Sequence, residues 1–163
     1  MLKYVDTLVT FSEIPDEIAL CINITGCKMG CKNCHSSYLA EDIGEELNID
    51  SLHKLITNNK GITCVSFMGG DSDPKEIDHL ASIVKKYYGL KTAWYSGSLA
   101  LSKDIHIQNF SYIKVGPYKE EAGPLNSKTT NQRFYKVVYN HYEDGTTGYE
   151  LIDITYKFHR NED

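Results

Sequence analysis

Residues 18–24 and 62–67 are apolar at nearly every position, and each run stops at a glycine turn within a few residues. A run that short, bounded in that way, is read as a strand buried on both faces. Helical patterns fall after and between such strands. One short helix is expected after Asp50, with Leu52, Leu55 and Ile56 on its apolar side. A second is framed by Asp73 as cap, Pro74 in the first turn and Glu76 three residues beyond the cap. Its apolar face is read as Ile77, Leu80, Ile83, Val84 and Tyr87. Further strands are expected at 92–95, 111–115, 134–139 and 149–154, with the last five residues frayed. Strand, loop, helix, strand is the parallel βα pattern. A complete eight-unit barrel needs ~250 residues, so 163 allow only a part of one. The expected class is therefore α/β, a small partial (β/α) barrel with a mostly parallel sheet, in one domain spanning 1–163.

Charge and cysteine usage narrow the chemistry. The net charge of −5, with no block of basic residues, argues against grip on a nucleic-acid backbone. No apolar stretch has membrane-spanning length, and the first residues are read as carrying no signal peptide. Five cysteines stand at 21, 27, 31, 34 and 64. An odd count with three clustered reads as metal chemistry in a reducing cytoplasm rather than a disulfide framework. Cys21 and Cys64 fall within apolar runs and are expected to be small buried hydrophobes.

Cys27, Cys31 and Cys34 form C-x3-C-x2-C directly after the first buried strand, with Gly26 and Gly30 thinning the loop. Three thiolates plus His35 or another residue would close a zinc site, whereas three alone would leave one iron of a four-iron cluster open. The spacing leaves both readings standing. Gly69, Gly70 and Asp71 end the next core strand and should border the same face, where open sheets and barrels collect their sites. Paired glycines permit a left-handed turn that offers backbone groups to a ligand, and Asp71 adds an acceptor for a cationic amine. Trp94–Gly97 and Lys114–Gly116 would extend that rim; Ser96 is balanced between turn former and ligand contact, and Lys114 reads as structural. Segment 116–132 has little apolar patterning and is read as a functional or mobile loop. Lys128-Thr129-Thr130 lacks the glycine frame of a phosphate loop, and the six histidines form no metal-binding pattern.

Taken together, Cys27–His35, Phe67–Asp71, Trp94–Gly97, Lys114–Tyr118 and Thr130–Arg133 resemble the radical S-adenosylmethionine enzymes, most closely the activating proteins of anaerobic ribonucleoside-triphosphate reductases. Two positions depart from that pattern: Ile14-Pro15-Asp16-Glu17 replaces a glycine-rich turn common in relatives, and Asn33 stands where an aromatic residue is frequent. The resemblance implies a [4Fe-4S] cluster on Cys27, Cys31 and Cys34, its open iron chelated by S-adenosyl-L-methionine. It places Gly69, Gly70 and Asp71 at the methionine amino group, Asn33 and His35 on the adenine side, and Ser96 near the methionine portion. It implies reductive cleavage of S-adenosylmethionine and formation of a glycyl radical on the reductase large subunit. The electron would come from a low-potential donor such as flavodoxin. Tyr118, Asn131 and Arg133 are the candidate contacts to that partner. Two other readings remain: a radical enzyme modifying a small heterocycle, like a 7-carboxy-7-deazaguanine synthase, and a non-enzymatic metal-stabilised interaction module.

Overall fold

The computed structural model describes residues 1–26 and 42–159. Its centre is a parallel sheet built from β2 (Ala19–Ile24), β4 (Cys64–Met68), β5 (Lys91–Tyr95) and β6 (Tyr112–Val115). Antiparallel strands flank this centre on both sides. β1 (Leu2–Thr10) pairs with β2 and carries the short β3 (Glu45–Leu47) on its other edge. β7 (Arg133–His141) pairs with β6, and β8 (Thr147–Asp153) closes the far side. The order is β3-β1-β2-β4-β5-β6-β7-β8, so β3 and β8 are edges and the hydrogen-bonded sheet is open. The chain is α/β as expected, but its sheet is mixed: three neighbouring pairs are parallel and four antiparallel.

Two α-helices occur among the described residues. α1 (Ile49–Thr57) is capped by Asn48, whose side chain accepts from the Ser51 amide while Ser51 returns a bond to the Asn48 amide. α2 (Pro74–Ile83) begins as its sequence predicts, with the Asp73 carboxylate accepting from the Glu76 amide at 3.3 Å. It then widens into a π turn over Val84–Tyr88 before Gly89 ends it. The wider turn delays the buried face by one residue. Tyr88 packs against the core while Tyr87 is 71% exposed, which corrects the expected face.

Both faces of the central strands are covered, which is why they read as continuous apolar runs. One face sets Leu20, Ile22, Ile24, Val65, Phe67 and Trp94 against α1 and α2. The other sets Cys21, Cys64, Ala93, Tyr112 and Phe134 against Ile14 and Ile154. Ile14 belongs to the connection between β1 and β2; the connection folds across this second face, and Ile14 is fully buried there. Cys21 and Cys64 lie within it, as expected of small hydrophobes, and burial pushes the Cys21 thiol up to about 12. No helix among the described residues is long and apolar enough to cross a membrane.

Candidate functional site

All four central strands point their carboxyl ends to the same edge of the sheet, so Ile24–Gly26, Met68–Asp71, Tyr95–Gly97 and Lys114–Gly116 gather there. Cys27, Cys31, Cys34, Asn33 and His35 lie outside the described residues. Both flanks of that stretch are described, and they meet. Thr25 is buried, and its hydroxyl donates to the Ile43 carbonyl at 2.7 Å. Its amide donates to the Lys3 carbonyl at 2.9 Å. The fold thus brings together the two ends of a segment that the sequence alone separates. Thr25→Val keeps the shape and deletes the hydroxyl, leaving the part-buried Ile43 carbonyl short of its donor. We expect a loss of about 1–2 kcal/mol in urea denaturation and faster amide exchange through 43–45.

The Gly69–Gly70 turn touches the root of that segment. Gly69 (φ +109°) and Gly70 (φ +95°) both occupy backbone conformations that side chains rarely adopt. A Cβ on Gly69 would stand 3.2 Å from the Ile24 carbonyl oxygen, and one on Gly70 would stand 2.5 Å from Ile77 Cδ1. Close packing of β4 onto β2 and of the turn onto α2 therefore requires glycine at both places. The turn's polar groups are partly committed. Gly69 donates to the Tyr95 carbonyl at 3.0 Å, and its own carbonyl accepts the Trp94 indole N–H at 2.7 Å. Gly70 accepts from the Asp73 amide at 3.0 Å. Trp94 is 1% exposed, so its body is core and only its N–H reaches the rim.

Asp71 and Ser96 come together. The Ser96 hydroxyl donates to Asp71 Oδ1, and the Gly97 amide donates to Oδ2 at 2.9 Å. One carboxylate thereby ties the loop after β4 to the loop after β5, with acceptor lone pairs still available on both oxygens. Behind Ser96 lies Lys114, also buried. Its ammonium donates to the Gly116 carbonyl at 2.9 Å and the Ser96 carbonyl at 3.2 Å, and sits 5.7 Å from the Tyr95 ring centre.

Tyr95 and Lys114 also line an open cavity of about 490 Å3 on the second face. Glu13, Leu125, Gln132 and Phe158 complete much of its wall. The Tyr95 hydroxyl donates to the Glu13 carbonyl, and burial with nearby Glu13 holds its ionisation far above the usual phenol value. Burial also raises the Glu13 carboxyl. Tyr95 falls within the expected rim stretch Trp94–Gly97, but Glu13 was not among the site residues expected from sequence, because nothing in the β1–β2 connection signals that it folds over this face.

The three expected partner contacts do not share one environment. Asn131 points its amide into its own loop, donating to the Pro117 carbonyl at 3.1 Å, while its Oδ1 is buried with no hydrogen-bond partner among the described residues. Arg133 opens β7 on the exposed surface and faces Asp153 at 3.5 Å. Tyr118 is half-buried beside Pro117. Within 116–132, Gln132 donates to the Gly116 carbonyl at 3.3 Å, so this irregular segment is stitched to the carboxyl end of β6. Among the described residues no three histidine, cysteine or acidic side chains form a metal-holding group. No family model, no curated protein and no solved structure matches the chain.

Proposed function

We propose that the chain is a radical S-adenosylmethionine enzyme that generates a glycyl radical on the large subunit of an anaerobic ribonucleoside-triphosphate reductase. The observation that carries this reading is the contact between the root of the cysteine segment, Ile24, and the Gly69–Asp71 turn at the carboxyl edge of the parallel strands. In this reading a thiolate set and an amine-accepting turn would share one site. The donor set fits a [4Fe-4S] cluster: Cys27, Cys31 and Cys34 would hold three irons and leave the fourth for S-adenosyl-L-methionine. When bound, these groups supply one-electron reductive cleavage that ends in hydrogen abstraction from a partner glycine.

The chain's own residues have the remaining tasks. Asp71, held by Ser96 and the Gly97 amide, presents a fixed carboxylate to a sulfonium amino acid's ammonium group. Asn33 and His35 would line the adenine side. Leu125, Phe158 and the Tyr95 ring give the open cavity beside Lys114 an apolar part of its wall, opposite the polar Glu13 and Gln132. In this reading the parallel centre, β2-β4-β5-β6, is the wall of an incomplete (β/α) barrel. Tyr118, Asn131 and Arg133 serve as partner contacts, a low-potential donor such as flavodoxin supplies the electron, and the enzyme works in the cytoplasm.

Anaerobic reconstitution with iron and sulfide, followed by dithionite and S-adenosylmethionine, tests the reading. About four irons per chain and release of 5'-deoxyadenosine are expected. Adding the reductase large subunit should then produce a glycyl-radical resonance signal. Zinc in place of iron, with no nucleoside formed, overturns the proposal in favour of a metal-stabilised module. Nucleoside without a glycyl signal overturns the partner assignment.

A further inference from the structure

The two edges of the sheet are not alike. β3 covers only Leu2–Tyr4 of β1, so Asp6–Thr10 pair with β2 on one side and with no strand of the described residues on the other. This open stretch, with the turn that follows it, exposes Leu8 (59%), Val9 (42%) and Phe11 (76%). An edge of free backbone N–H and C=O groups flanked by apolar side chains is complementary to another extended strand.

We propose that two copies of this chain join through β1, antiparallel, with Leu8 of one copy opposite Leu8 of the other. Symmetry selects the register. A two-fold axis normal to the sheet is the operation that brings an edge antiparallel onto itself, and it keeps each face of one copy aligned with the same face of the other. Residues directly opposite then share a face, and centring on the open stretch puts the axis at Leu8. Thr7 falls opposite Val9 and Asp6 opposite Thr10, so β-branched and polar–hydroxyl pairs form and no like charges meet.

The other edge behaves in the opposite way. Full-length self-pairing of β8 (Thr147–Asp153) centres on Glu150, bringing two carboxylates face to face. That arrangement disfavours β8 and leaves β1 as the edge for a second copy. The β1 contact runs beside Ala19–Asn23 of β2, centred on Leu8 next to Cys21. It is independent of the proposed activity.

Sedimentation of the full chain across a dilution series should show a dimer that dissociates at low concentration. Leu8→Glu recreates at β1 the like-charge centre of β8 and should show the monomer mass at every concentration, including those at which the parent is dimeric, with an unchanged circular dichroism spectrum because Leu8 is exposed. Leu8→Cys should be trapped by mild oxidation as a dimer linked at position 8, since opposed residues of an antiparallel pair lie ~4.5–5.5 Å apart and disulfides span that range. A monomer at all concentrations, a dimer unaffected by Leu8→Glu, or no linkage at position 8 in a dimer overturns the proposal.

Discussion

Glu17→Ala is expected to lower stability by about 3 kcal/mol, roughly 10 °C in melting temperature for a chain of this size. Glu17 is 5% exposed, and its carboxylate sits beneath the amino ends of the central strands. It accepts from the Tyr112 hydroxyl at 2.7 Å, the Thr63 hydroxyl at 2.8 Å and the Lys91 ammonium at 2.8 Å. One side chain thus gathers the starts of β4, β5 and β6. Lys91 is largely exposed, so its ion pair contributes least. Most of the loss comes from the buried Tyr112 hydroxyl left beside a void and from the cavity itself, since Thr63 is exposed and its hydroxyl also meets the Ile18 backbone. Burial alone would raise the Glu17 carboxyl, but the bonds from Lys91, Tyr112 and Thr63 outweigh it and hold the group below its ordinary value. The stability Glu17 contributes is therefore present above the ordinary carboxylate range and is lost as pH falls through the lowered folded value. Tyr112 acts at the other end. Burial and the bond to Glu17 raise its ionisation, so its contribution is present below the ordinary phenol value and disappears as pH rises through the folded one. Glu17→Gln should flatten the acid limb of a melting-temperature profile while costing less at neutral pH. An acid limb unchanged in that variant would rule out Glu17 as its source.

Nothing in the sequence around Glu17 marks this role, because its partners lie 46, 74 and 95 residues away. The same distinction runs through the whole fold. Local signals were legible: Asp73, Pro74 and Glu76 place the start of α2, and the apolar runs place β2 and β4. Tyr87 misled because a π turn changes the helical period, and side-chain spacing does not announce that change. β1 and β3 went unread because their residues are half exposed and lack a buried strand's continuous apolar run. With those strands unread, the sheet looked more parallel than it is. At the site, Gly69, Gly70, Asp71 and Ser96 could be placed on one rim because each follows a buried strand. The bond between Asp71 and Ser96 could not, because it depends on the register that sets Met68 beside Tyr95.

Cys31→Ala and Asp71→Ala should fail in different ways, and the difference separates the two halves of the proposed site. Removing a thiolate removes a metal ligand, so Cys31→Ala should lose most of its iron and form no 5'-deoxyadenosine above background. Asp71 is not a proposed ligand, so Asp71→Ala should keep the iron content and visible absorption of the parent. Its loss should appear in the affinity for S-adenosylmethionine. One charge-assisted hydrogen bond of about 1.5–3 kcal/mol corresponds to roughly 10- to 100-fold weaker binding, measurable by calorimetry on the iron-loaded protein. Ser96→Ala supplies the intermediate case. It leaves the carboxylate in place but frees Oδ1 from its donor, so Asp71 remains tied only through the Gly97 amide. A positioning role for Ser96 therefore predicts weaker binding than in the parent and tighter binding than in Asp71→Ala, with iron unchanged in both variants. If Asp71→Ala binds S-adenosylmethionine as tightly as the parent, the carboxylate serves only to fasten the β4 loop to the β5 loop. The ammonium group must then be held elsewhere.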